Sequence, residues 1–297
     1  APTVTIEGYG FVDGEVSEIA ATGVATNVTD ENGVVNAISY KTAESFKADN
    51  YEIYKKEGTL KITKASNTFV IIADSPYKDY DGEPLTATYS VIVPSGFDGY
   101  SATAKLTLHG SSVSSDDAQS ITDAGSAYVM VTSYKLLDAA KQDVTKNFED
   151  PLLIDGELNV YPRLLILTSA SDTKEYDGTP LADSTVTVGG DGFAPGERFD
   201  IYASGSQSDV GSSSNTIPDL ATLTHPAGFK LSNYSVVPIE GTLSVTQNTS
   251  PIVVTASSQV KIYDGTPLTS QMHSVSGLPD GFTTEVSLQG SVTNVGD

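Results

Sequence analysis

The sequence predicts an all-β protein built from tandem Ig-like β-sandwich repeats, and three observations predict it. An eight-residue segment recurs as Lys78-Asp79-Tyr80-Asp81-Gly82-Glu83-Pro84-Leu85, Lys174-Glu175-Tyr176-Asp177-Gly178-Thr179-Pro180-Leu181 and Lys261-Ile262-Tyr263-Asp264-Gly265-Thr266-Pro267-Leu268. Between these segments, short β-branched and apolar runs alternate with Gly, Pro, Asn, Asp and Ser clusters, the pattern of strands and turns. Finally, 38% hydrophobic and 18% charged residues leave a Ser-, Thr- and Gly-rich remainder that suits several small β units better than one large core.

Two further markers keep step with the first. Asn followed by an aromatic occurs at Asn50-Tyr51, Asn147-Phe148 and Asn233-Tyr234, and a glycine eight or nine residues later opens Gly58-Thr59-Leu60, Gly156-Glu157-Leu158 and Gly241-Thr242-Leu243. An Asp/Asn-x-Gly triplet stands at Asp123-Ala124-Gly125, Asp209-Val210-Gly211 and Asn294-Val295-Gly296. Periodic self-similarity of this kind is the signature of a repeat architecture. The N-terminal Thr3–Phe11 aligns with Thr185–Phe193, so the chain divides into a partial repeat over 1–65 without the Tyr-Asp-Gly segment, a complete divergent repeat over 66–162, a complete repeat over 163–248, and a partial repeat over 249–297 without the C-terminal strands.

Within the third repeat the reading runs in order. Leu164–Ser169 is an apolar strand, and Tyr176-Asp177-Gly178 is a turn. Thr185–Val188 and Phe199–Ala203 alternate as strands. Gly205–Asn215 is a Ser/Gly loop, and Thr216–Thr224 is extended but broken by Pro218. Tyr234–Ile239 and Thr242–Val245 form a hairpin around Glu240-Gly241. Lys135–Asn147 has helical composition, but its counterpart contains His225-Pro226-Ala227-Gly228, which allows one helical turn at most in a shared fold. A β-grasp-like unit with a short helix is the alternative fold.

The recurring letters read first as scaffold. Gly82, Gly178 and Gly265 supply the positive φ that a turn after Asp81, Asp177 and Asp264 needs. Tyr80, Tyr176 and Tyr263 bury rings while keeping their hydroxyls bonded. Asn50, Asn147 and Asn233 cap turns through their side chains, with the following aromatic entering the core. Lys78, Lys174 and Lys261 with those asparagines also raise the chemistry of a Lys–Asn isopeptide crosslink, which needs a desolvated neutral amine beside a buried carboxylate.

Other chemistries are narrowed by composition. There is no Cys, and the three His residues fall at unrelated repeat positions, so thiolate metal sites, disulfides and a repeated histidine site are excluded. No nucleophile-elbow, zinc-protease or phosphate-loop motif occurs, and the chain is read as a non-enzyme without a cofactor. Asp30-Glu31-Asn32-Gly33, Asp79-Tyr80-Asp81 and Asp116-Asp117 are acidic enough to attract Ca²⁺, but none has calcium-loop spacing. A formal charge of -22 repels phosphate backbones and anionic lipid, so neither nucleic acid nor membrane insertion is expected.

The order Lys-x-Tyr-Asp-Gly-Thr-Pro-Leu, then Gly205-Ser206-Gln207-Ser208-Asp209-Val210-Gly211, then Asn233-Tyr234, then Gly241-Thr242-Leu243-Ser244-Val245-Thr246 resembles the bacterial YDG/MBG-type repeats. The resemblance spans most of the chain and is weaker over Asn67–Tyr161, where Phe148 and Glu157 replace the usual Tyr and Thr. It implies a secreted or cell-wall-attached adhesin at the bacterial cell surface, with this segment acting as a structural stalk that projects a distal head. A glycan- or mucin-binding module is one alternative, its ligand surface placed at Tyr100, Tyr128 and Tyr134 of the divergent repeat. Head-to-tail self-association of the incomplete terminal repeats into an extracellular filament is another.

Overall fold

The computed structural model describes residues 4–113, 115 and 118–296 of the 297-residue chain. The fold is all-β. Its helical elements among the described residues are four three-residue 3₁₀ turns, so the helix of the β-grasp alternative does not form.

Two compact units result, one of residues 1–78 and 83–160 and the other of residues 79–82 and 161–297. The first unit holds β1 (Val16–Ala21), β2 (Val34–Asn36), β3 (Ile38–Thr42), β4 (Gly58–Leu60), β5 (Val70–Ala73), β6 (Tyr77–Asp79), β7 (Leu85–Thr86), β8 (Tyr89–Ile92), β9 (Ser101–His109), β10 (Ser120–Ile121), β11 (Gly125–Leu137), β12 (Leu152–Ile154) and β13 (Gly156–Tyr161). Its first repeat makes two antiparallel ladders, β1 with β3 and β2 with β4. Its second repeat makes two larger sheets in the orders β12-β5-β8 and β6-β13-β11-β9. The long β9–β11 ladder, with a bulge between Val131 and Ser133, accounts for the extra length of this divergent repeat.

The second unit holds β14 (Arg163–Ser169), β15 (Asp172–Glu175), β16 (Val186–Gly190), β17 (Gly211–Asn215), β18 (Tyr234–Ile239), β19 (Gly241–Thr246), β20 (Val253–Ala256) and β21 (His273–Ser276). Its third repeat forms sheets β16-β14-β18 and β15-β19-β17. In both complete repeats the central strand runs antiparallel to one neighbour (β8 or β16) and parallel to the other (β12 or β18). These parallel pairs depart from the antiparallel sheets of an immunoglobulin sandwich. Alternation places Leu165 and Leu167 of β14, and Leu243 and Val245 of β19, inward and fully or nearly fully buried. Phe69 and Ile71 hold the corresponding places in the second repeat.

Three sequence expectations for the third repeat are corrected. Tyr234–Ile239 and Thr242–Val245 are not a hairpin. β18 pairs parallel with β14, whereas β19 pairs with β15 and β17, so the chain steps between sheets at Glu240. A single residue cannot close a hairpin, whose shortest common loop has two. The Ser/Gly stretch is a strand at its end: β17 pairs with β19, because small Ser side chains fit where the strand lies against its neighbour. Conversely, Phe199–Ala203 joins no ladder, although its alternation does bury Ile201 and Ala203. Thr216–Thr224 contains a 3₁₀ turn at Leu220–Thr222, capped by the Asp219 carboxylate.

Each asparagine marker stands at a turn, which its backbone closes. Asn50, Asn147 and Asn233 each end a 3₁₀ turn, with no side-chain cap at its start. Their backbone N–H groups close the turns by donating to Lys47, Val144 and Lys230 carbonyls. The Asn147 side chain instead accepts from Val28 N–H at 2.8 Å and donates to Asn27 at 2.8 Å. The aromatic that follows does enter the interior, since Phe148 and Tyr234 are buried.

Candidate functional site

The recurring segment is locked locally before it does anything else. In the third repeat the Asp177 carboxylate accepts the Thr179 N–H at 2.9 Å, the Thr179 hydroxyl at 2.8 Å and the Lys174 ammonium at 2.8 Å. The last repeat repeats the set, Asp264 accepting from Thr266 and Lys261 over the same distances. In the second repeat Glu83 replaces the threonine, and the Lys78 ammonium donates to the Glu83 carbonyl at 2.5 Å. Gly82, Gly178 and Gly265 all have positive φ. Gly178 is constrained twice, since a Cβ there would also stand 2.2 Å from the Phe282 ring.

Two consequences follow from this lock. The Lys174 and Lys261 amines are charged partners of carboxylates, the opposite of the neutral nucleophile that an isopeptide needs. An intact mass equal to the sequence mass is therefore expected, with no loss of ammonia per repeat. Second, the lysine and the threonine donors hold Asp177 and Asp264 well below the usual carboxylate range. A depressed carboxylate contributes stability that is complete above its unfolded pKa, near 4, and is lost as pH falls through the lower folded value. The amide signals of Thr179 and Thr266 are expected to titrate at clearly lower pH than those beside ordinary exposed carboxylates.

The tyrosine of the segment is presented to an aromatic cluster in the second unit. Tyr80 is buried, and its hydroxyl donates to Glu197 Oε1 at 2.6 Å. The other carboxylate oxygen of Glu197 accepts from the Tyr234 hydroxyl, which in turn accepts the Ala194 N–H at 2.9 Å. Burial, and then the Glu197 hydrogen bond, push the Tyr234 phenol far above its ordinary pKa, so it remains a donor throughout the physiological range. The rings of Tyr80 and Tyr234 meet edge to face at 5.7 Å, Phe193 lies 5.9 Å from Tyr234, and Phe229 stacks on Tyr234 at 5.3 Å. Arg163 closes the seat, its guanidinium donating to the carbonyls of Tyr80, Asp191 and Gly192.

The same cluster exists in the first repeat. Phe11, Phe46 and Tyr51 stand where Phe193, Phe229 and Tyr234 do: Phe46 stacks on Tyr51 at 5.4 Å, and Phe11 lies 5.3 Å from Tyr51. Tyr51 donates to Glu15 at 2.5 Å and accepts the Val12 N–H at 2.9 Å, as Tyr234 does with Glu197 and Ala194. Tyr176 repeats part of the pattern at the last repeat. Its N–H donates to Thr246 O and its carbonyl accepts from Asn248, as Tyr80 does with Tyr161 and Arg163, and its ring packs at 5.9 Å on Phe282. Tyr263 is mainly solvent-exposed.

Thus the structure brings together Tyr80 with Glu197, Tyr234, Phe193 and Phe229; sequence reasoning had singled out Tyr80 and Tyr234 as separate markers and had given Glu197 and Phe229 no role. The signal was present in the repeated Gly-Phe-x₃-Glu of Gly10-Phe11…Glu15 and Gly192-Phe193…Glu197, and in the repeated Phe-x₄-Tyr of Phe46…Tyr51 and Phe229…Tyr234. Replacing Glu197 with alanine strands two phenol donors, and the expected loss is about 2 kcal/mol of third-repeat stability, read from denaturant midpoints.

The three tyrosines proposed as a ligand surface lie in different surroundings. Tyr100 is half-buried and packs 5.2 Å from Phe97 and 6.1 Å from the buried Phe148. Tyr134 is half-buried with its hydroxyl on Asp150, whereas Tyr128 is exposed six positions earlier on β11, roughly 20 Å away at strand rise. Among the described residues no group of three or more His, Asp or Glu is arranged to hold a metal ion. Asp30 accepts the N–H groups of Asn32 and Gly33 in a local turn, and Asp116-Asp117 lies outside the described residues. No helix among the described residues is long and apolar enough to cross a membrane.

No protein-family model and no curated protein matches this chain.

Proposed function

We propose that the chain is a non-enzymatic stalk segment of a bacterial surface adhesin, extracellular or wall-attached, of the YDG/MBG kind that its repeats resemble. The observation that carries this reading is the seat of Tyr80: a tyrosine from the recurring segment of one repeat is held by the Glu–Tyr–Phe cluster that begins the next. Tyr176 against Phe282 follows the same rule. A device used at each step along an array serves to link repeats in series, which is what a load-bearing spacer requires. The strong negative charge favours a solvated surface over association with anionic partners.

Pulling the chain from its two ends tests the proposal. A stalk is expected to release its complete repeats in separate events, the third lengthening by roughly 300 Å at about 3.5 Å per residue. A single unresolved event at negligible force speaks against it. So would reproducible binding on a glycan array that is lost with Tyr128→Ala or Tyr134→Ala, the result expected of a glycan- or mucin-binding module.

A further inference from the structure

Tension along a chain of repeats enters the third repeat at the start of β14 and leaves it at the end of β19. β14 and β15 follow one another with only Ala170 and Ser171 between them, and β18 and β19 with only Glu240 between them. These two segments run parallel throughout. In one sheet six residue pairs join β14 to β18, from Arg163 opposite Tyr234 to Thr168 opposite Ile239. In the other sheet four pairs join β15 to β19, from Asp172 opposite Leu243 to Glu175 opposite Thr246. Partners are equally far apart in sequence in both ladders, so one register passes unbroken from sheet to sheet.

Side chains supply rungs where the two backbones change sheet. At the crossing, the Gly241 N–H donates to Ser169 Oγ at 2.8 Å and the Thr242 N–H to Ser171 Oγ at 2.9 Å. At the far end the Tyr176 N–H donates to the Thr246 carbonyl at 2.9 Å, and Asn248 Nδ2 donates to the Tyr176 carbonyl at 3.1 Å. The second repeat follows the same plan. β5 pairs parallel with β12, and the Glu157 N–H donates to Ser75 Oγ at 3.1 Å. The Tyr80 N–H donates to the Tyr161 carbonyl at 2.8 Å, with the Arg163 guanidinium on the Tyr80 carbonyl. The tyrosine of the recurring segment thus makes the last rung in both complete repeats.

We propose that the first and last segments of each complete repeat form a shear clamp, the element that resists tension applied along the chain. Parallel terminal segments have their loaded ends at opposite ends of the ladder. Tension at Arg163 and Thr246 therefore slides the two segments past one another, and the evenly spaced rungs share the load. Antiparallel terminal strands would have both loaded ends together and would open one rung at a time. Sliding also drags Leu165, Leu167, Leu243 and Val245 from buried places, which adds the cost of exposing apolar surface. The recurring tyrosine has two tasks in this device, closing the ladder with its backbone and seating its ring. This inference rests on the stalk reading only for the direction in which tension arrives; the resistance itself belongs to the ladders.

Single-molecule pulling of the whole chain in two directions is the test, and a chain without cysteine lets introduced thiols serve as the handles. Handles at Leu164→Cys and Thr246→Cys load the clamp in shear. Handles at Leu164→Cys and Ser235→Cys, two exposed positions opposite one another, load the same β14–β18 ladder in peeling. Both pairs are coupled under reducing conditions. Rupture in shear is expected at roughly threefold the peeling force or more, because about ten rungs share the load instead of one. Ser171→Ala and Asn248→Ala each remove a side-chain rung, and each is expected to lower the shear force and leave the peeling force unchanged. A shear force no higher than the peeling force overturns the clamp, even if the complete repeats still release separately when the chain is pulled from its ends. So does a shear force that both variants leave unchanged. High shear resistance together with glycan binding lost in Tyr128→Ala would instead overturn the stalk reading and leave the clamp standing.

Discussion

Gly241→Ala is expected to cost the third repeat about 3 kcal/mol, enough to unfold it partly at ambient temperature if its stability is ordinary for its size. Gly241 is the first residue of β19, one step after the chain leaves the other sheet. A Cβ there would stand 2.2 Å from the Ala170 carbonyl oxygen and 2.6 Å from both its carbon and the Ser169 oxygen. All three are backbone atoms at the end of β14, so no side chain can swing aside to make room. Moving β19 outward would also break the 2.8 Å bond from the Gly241 N–H to the Ser169 hydroxyl, and would open the ladders on both sides of the strand. Gly156 occupies the same crossing in the second repeat, where a Cβ would meet Asp74 O at 2.4 Å and Ala73 O at 2.5 Å. Gly156→Ala should therefore destabilise the second repeat by a similar amount. Gly58 is the internal control: nothing lies closer to its Cβ position than 3.8 Å, so Gly58→Ala is expected to leave stability nearly unchanged. Urea unfolding of the three variants, followed by amide exchange to assign the loss to a repeat, checks all of this.

These glycines also mark what was legible in the sequence and what was not. Their recurrence eight or nine residues after each asparagine was plain, and alternation correctly placed Leu165 and Leu167 inside a strand. Why glycine was needed could not be read, because the atoms it avoids belong to Ala170, some seventy residues earlier in the chain. The supposed hairpin failed for a related reason. Two adjacent apolar runs satisfy the same local pattern whether they pair with each other or with separate distant strands, and Glu240-Gly241 has the length of a common hairpin loop until Gly241 is seen to pair within β19. Tyr80 was visible as a repeated letter, but its partner Glu197 was one of many carboxylates in an acidic chain. Comparing the first and third repeats beyond Phe11 and Phe193 would have found it, since Glu15 stands at the same spacing. Tyr100 is half-buried because its ring packs against Phe148, a contact that one strand's letters do not show.

Asn215→Ala is expected to cost about 3 kcal/mol in the third repeat, and the equivalent change in the first repeat, Asn36→Ala, about 1 kcal/mol or less. Asn215 is fully buried, and its amide uses both ends. Its oxygen accepts the Gly205 N–H at 3.1 Å, while its nitrogen donates to Ala170 O at 2.9 Å and Asp183 O at 2.8 Å. Truncation strands one donor and two acceptors in the interior, where water cannot replace the amide without opening the sheet. Asn36 offers Gly23 the same acceptor at 3.0 Å but sits in a half-exposed position, and among the described residues no strand stands beside it in the place of β14. The gap between the two variants thus measures how much of the repeat's polar framework depends on its central strand. Equal penalties for the two variants would mean that burial and the second and third hydrogen bonds of Asn215 contribute little.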